Sequence, residues 1–93
     1  MIEKQLSKKP GFKKLYKAFA GLNDEKSVKA LLRDICTLKE LEDMSGRIEA
    51  ASLLKQGLSY REIAKKTGVS TTTITRIAHW MHHGTGGYDL ALD

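Results

Sequence analysis

One stretch constrains the chain more than any other: Tyr60 to His79, which reads YREIAKKTGVSTTTITRIAH. It places a small residue, Ala64, four positions before a glycine, Gly68, and an isoleucine, Ile74, six positions beyond that. Two short helices that cross closely need this arrangement. A small side chain sits at the crossing, a glycine takes the positive φ of the tight turn, and branched side chains lock the second helix onto the first. Ile63, Val69, Ile74 and Ile77 supply those locking contacts. Ser59 to Glu62 (S-Y-R-E) is a capping box that starts the first helix, and Ser70 caps the second, which runs to about His83. The spacing predicts a helix-turn-helix over residues 59–83.

The residues before it also carry helical signals. Phe12, Leu15, Tyr16, Phe19 and Leu22 recur at helical spacing with the lysines opposite. Asn23-Asp24-Glu25 then caps a helix with the stripe Val28, Leu31, Leu32 and Ile35. Thr37 to Glu40 forms another T-x-x-E box, opening a longer helix in which Leu38, Leu41, Ile48, Ala51 and Leu54 share a face until Gly57 stops it. Gly46 interrupts this helix, so it either kinks the helix or admits a close backbone approach. Nothing alternates with the period of a strand, so the fold class is all-α, with five to six helices in a single domain, 1–93. Residues 11–57 are the core and dimerisation helices, and residues 84–93, opening on Gly84-Thr85-Gly86-Gly87, are a flexible tail with Leu90 and Leu92 available to dock. Trp80 and Tyr16 are expected in the core, as is Cys36 within its apolar stripe.

Charge points to a partner. The net charge is +5, and it is blocked along the chain. Lys4, Lys8, Lys9, Lys13, Lys14 and Lys17 face only Glu3, and Lys55, Arg61, Lys65, Lys66 and Arg76 face only Glu62. Residues 24–49 mix seven acids with five bases. Two basic blocks around a mixed segment suit a polyanion, because each neutralised phosphate releases a counterion. A second helix that enters the major groove N-terminus first would present Ser70, Thr71, Thr72, Thr73, Thr75 and Arg76, with Arg61 and Lys65 from the preceding helix. Threonine hydroxyls and methyls can meet base edges, and Arg61 is the best candidate for direct base contact. Lys65, Lys66 and the lysines of the first helix suit phosphate.

These residues resemble the Trp repressor family, and within it the short YerC/YecD type of tryptophan-repressor-related protein. S-Y-R-E at Ser59 to Glu62 and T-I-T-R at Thr73 to Arg76 carry the resemblance, joined through Gly68 and preceded by a long helix containing Arg47. It implies an intertwined all-helical homodimer whose two recognition helices read a palindromic site in double-stranded DNA. It also implies that Arg61, Thr71, Thr72, Thr73 and Thr75 face DNA. In the family's repressor two arginines hold tryptophan, and here Arg76 matches one and, with one residue deleted near Gly57, Arg47 matches the other. Ile77 stands where that repressor has glycine and fills space the indole would use, so tryptophan is not the expected effector; another small molecule, or none, is.

Other functions fare worse. Cys36 is the lone cysteine, which leaves no internal disulfide and no cysteine-based zinc finger. His79 and His83 are four apart and could share a metal, but no third ligand accompanies them, so neither a metal nor a cofactor is expected. No glycine-rich phosphate loop and no isolated acid pair suggests an enzyme. The apolar runs are too short to span a bilayer, and the first residues lack a signal-peptide pattern, so a cytoplasmic protein is expected. The alternative is a protein-interaction or RNA-binding helical module that retains the helix-turn-helix geometry.

Overall fold

The computed structural model describes residues 2–92, and among them it contains seven helices and no strand. They are α1 (Ile2–Ser7), α2 (Pro10–Ala20), α3 (Glu25–Ile35), α4 (Leu38–Lys55), α5 (Tyr60–Thr67), α6 (Thr71–His83) and α7 (Gly87–Ala91). The all-helical expectation holds; the helices beyond the expected five to six are the short α1 and α7. Helices of five or six residues are too short to leave a periodic signature. The chain divides into two compact units, Met1–Thr37 and Leu38–Asp93. No helix among the described residues is long and apolar enough to cross a membrane.

In the first unit, Pro10 begins α2, where its missing N–H costs nothing, and Phe12 and Tyr16 bring their rings to 6.2 Å one turn apart. Asp24 occupies the N-cap of α3, but its side chain does not make the capping hydrogen bond. Cys36 is not in the stripe's interior. It is the half-buried C-cap of α3, its N–H donating to the Leu32 carbonyl and its own carbonyl accepting from Arg33. Tyr16, expected in the core, is 60% exposed. No residue of α2 or α3 is fully buried.

The second unit holds the buried core. Ala50 and Ala51 of α4 meet Ile63 of α5 and Ile74 and Ile77 of α6, all 0–3% exposed, with Leu53, Leu54, Leu58, Ala64, Val69, Met81, Tyr88 and Leu92 packed around them. Two alanines at the centre let α4 come close to α5 and α6, and the isoleucines fill the space between. Burying an isoleucine contributes about 1.5–3 kcal/mol, so three of them dominate the stability of so small a core. Gly57, at φ +89°, ends α4: its N–H donates to the Leu54 carbonyl and that of Leu58 to the Leu53 carbonyl, which together form a Schellman motif.

Gly46 serves close approach. A Cβ there would lie 3.1 Å from Val69 Cγ2. The segment after Gly84 is not wholly irregular: α7 forms, Tyr88 and Leu92 pack against the core, and Lys55 pairs with Asp89 at 3.1 Å and donates to the Leu92 carbonyl at 3.3 Å. Leu90 does not dock; it is 90% exposed. Asp93, the end of the tail expected to be flexible, lies outside the described residues.

Candidate nucleic-acid interface

The turn between α5 and α6 is fixed by local hydrogen bonds. The Ser59 N–H donates to Glu62 Oε1 at 3.1 Å and the Glu62 N–H to Ser59 Oγ at 3.2 Å, completing the capping box. The same Ser59 N–H, followed by the Ser59 hydroxyl and more weakly by Lys66, holds the Glu62 carboxyl below its ordinary value. Gly68 adopts φ +77° as the C-cap of α5, donating to the Ala64 carbonyl at 2.9 Å. Thr67 Oγ1 donates to the Ile63 carbonyl at 2.7 Å and accepts from the Val69 N–H at 3.1 Å, which ties the turn back to α5. Ser70 Oγ then accepts from the Thr73 N–H at 3.2 Å, starting α6.

On this frame α6 buries Ile74, Ile77 and Ala78 and leaves Ser70, Thr71, Thr72, Thr75 and Arg76 exposed, while α5 exposes Arg61, Lys65 and Lys66. Thr73 differs from expectation. It is half-buried, and its Oγ1 accepts from the Ser70 hydroxyl at 3.0 Å. The reason is helical phase, since Thr73 lies on the flank of α6 that turns toward α4. Thr75 Oγ1 donates to the Thr71 carbonyl at 2.9 Å, so its hydroxyl proton is engaged within the helix.

Trp80 also corrects the sequence reading: it is 60% exposed and belongs to the Thr73 and Arg76 flank, outside the Ile74–Ile77–Ala78 stripe. With Arg47, Thr73, Arg76, Ile77 and Tyr88 it lines an open groove of about 390 Å³. Arg47 and Arg76, from α4 and α6, thus line one groove. The sequence reading missed Thr73, Trp80 and Tyr88 as its walls. The spacing of Tyr88 and Leu92, one helical turn apart after a glycine-rich turn, was the available signal for a docked segment. The rings of His79 and His83 lie 4.9 Å apart with their planes tilted by 43°, and no group of three or more His, Cys, Asp or Glu among the described residues could hold a metal ion.

Comparison with known proteins decides the lineage. Residues 11–93 match the Trp repressor protein family. The chain belongs to the Trp repressor family. Within reach of it lies the uncharacterized protein YerC of Bacillus subtilis, 33% identical over 79 residues, 85% of this chain and 76% of that protein. A Trp operon repressor homolog of Xylella fastidiosa is 38% identical over 72 residues, 76% of this chain and 78% of its own length. The crystal structure of a TrpR-like protein from Eubacterium eligens superposes with a TM-score of 0.86 at 33% identity, covering 94% of this chain and 90% of the other. Both the Trp repressor family assignment and the YerC-type resemblance read from the sequence are thereby confirmed, as is the Trp-repressor-like fold.

Proposed function

We propose that the chain is a DNA-binding transcriptional regulator of the Trp repressor family, acting as a homodimeric repressor on a palindromic site in double-stranded DNA. The observation that carries this reading is the build of α6. Two fully or almost fully buried isoleucines hold it from behind, its first turns expose Ser70, Thr71, Thr72, Thr75 and Arg76, and Arg61, Lys65 and Lys66 stand exposed on α5. In this reading α6 enters the major groove, Arg61 reads a base, and Lys65 and Lys66 hold phosphates; Thr73 acts from its half-buried position by fixing Ser70. Belonging to the Trp repressor family, and likeness to a Trp operon repressor homolog, support the regulator class.

The experiment is selection of bound duplexes from a random pool at near-physiological salt. A palindrome with half-sites about one helical turn apart is the expected product. Enrichment of no sequence would sink the reading and favour a protein-interaction or RNA-binding module.

The Arg47–Arg76 groove is the proposed effector site, and tryptophan is not the proposed effector. Ile77 and Trp80 both line it, and in this reading Ile77, standing where the family's repressor has glycine, fills space an indole would use. Addition of tryptophan should leave the affinity for the selected duplex unchanged to within about twofold, as measured by fluorescence anisotropy.

A further inference from the structure

Gly46 stands in the interior of α4, where glycine disfavours the helix relative to alanine. Neither a turn nor a positive φ calls for it there. What surrounds it is the turn that leads into α6: a Cβ on Gly46 would approach Val69 Cγ2 to 3.1 Å, closer than ordinary van der Waals contact. One turn further along, Ala50 is fully buried against the isoleucines, so the same face of α4 is kept small where α5 and α6 pack on it.

Val69 cannot give way freely. Its N–H is held by Thr67 Oγ1, which is itself bonded to the Ile63 carbonyl, and its side chain packs against the core. The next residue, Ser70, is the N-cap of α6, bonded to the Thr73 N–H and hydroxyl and, through its carbonyl, to the Ile74 N–H at 2.9 Å. A displacement of Val69 by a few tenths of an ångström is therefore passed to Ser70 and to the first turn of α6.

From this we infer that Gly46 is a positioning residue: its missing side chain sets the depth at which Val69 seats on α4, and so places the N-terminal turn of α6, Ser70 to Thr73, for DNA. The inference rests on the DNA-binding reading above for its functional half and on geometry alone for its structural half. Gly46 touches no DNA in this account, and it acts only through Val69.

The test is a double-mutant cycle on the full chain with Gly46→Ala, Val69→Ala and the pair, read three ways: melting temperature, affinity for the selected duplex, and backbone amide resonances of Gly68 to Thr73. In Gly46→Ala the helix-propensity gain of alanine and the strain against Val69 oppose each other, so the melting temperature should stay within a few degrees of the parent's while the duplex is bound about tenfold more weakly, the scale of one misplaced base contact. Its amides from Gly68 to Thr73 should shift. Adding Val69→Ala, which removes the methyl that the new Cβ meets, should return the affinity to that of Val69→Ala alone and move those resonances back. The inference is overturned if Gly46→Ala binds and resonates like the parent, or if its loss persists in the double variant. If the parent protein itself binds no duplex, the proposed function falls; the seating of Val69 is then decided by the resonances, which either shift and return or refute it.

Discussion

The hydroxyl of Thr75 is committed within its own helix. Its proton is donated to the Thr71 carbonyl, so toward a partner it offers lone pairs and a methyl group. Such a group matches an adenine or cytosine amino donor or a thymine methyl, and it does not match the O6 and N7 acceptors of guanine. Replacing Thr75 by valine keeps the methyl and puts a second methyl where the acceptor hydroxyl was. In a pool selection the variant should lose preference for an amino donor at one position of each half-site, by about 1–3 kcal/mol, while leaving thymine accepted there. Arg61 and Lys66 separate in another way. Arg61→Ala should relax one base position, whereas Lys66→Ala should weaken all duplexes alike and reduce the salt slope by about one ion, as read from affinity against salt concentration. Eight of the nine candidate contact residues were legible as exposed because the buried isoleucines, Ile63 on α5 and Ile74 and Ile77 on α6, fix the phase of both helices. Thr73 and Trp80 were not, since periodicity gives the centre of an apolar stripe and says little about its width.

The helix-turn-helix was legible because each of its constraints is local. Ser59 with Glu62, Gly68 at positive φ and Ser70 with Thr73 act across at most four residues, within reach of sequence reading. Those constraints have measurable weights. Ser59→Ala should cost about 1 kcal/mol, and Gly68→Ala about 1–2 kcal/mol because a Cβ is disfavoured at φ +77°; calorimetry should show the melting temperature lowered in both. Acid should weaken the cap. Glu62 is held below its ordinary value of 4.5 in the folded chain, so its stabilising contribution is present above that value and is lost as the pH falls below it. Glu62→Ala should therefore lower the melting temperature at neutral pH and flatten its decline in acid. The groove was not legible as a whole, because Arg47 and Tyr88 come from α4 and α7 and only packing brings them together. Arg76 came with the T-I-T-R match and Arg47 only with a one-residue deletion near Gly57, and no local pattern announces the aromatic walls.

At the scale of the molecule the salient fact is apolar surface. Tyr16, Ile35, Leu38, Ile48 and Trp80 are each 44–66% exposed, and no residue of α2 or α3 is fully buried. A 93-residue chain with so few buried residues has a strong incentive to associate, since surface-to-volume scaling leaves small domains short of core. Light scattering at micromolar concentration should give twice the chain mass, and Leu38→Glu should return it toward the monomer while retaining the helical circular dichroism of α4 to α7. A monomer mass for the parent would remove the palindrome with the dimer. The chain holds one tryptophan, and it is Trp80, on the wall of the Arg47–Arg76 groove and on the same helix as the candidate contacts. The molecule thus carries its own optical reporter: a wet indole emits to the red, and whatever excludes water from it, a second copy or a bound small molecule, will announce itself as a blue shift without any label being attached.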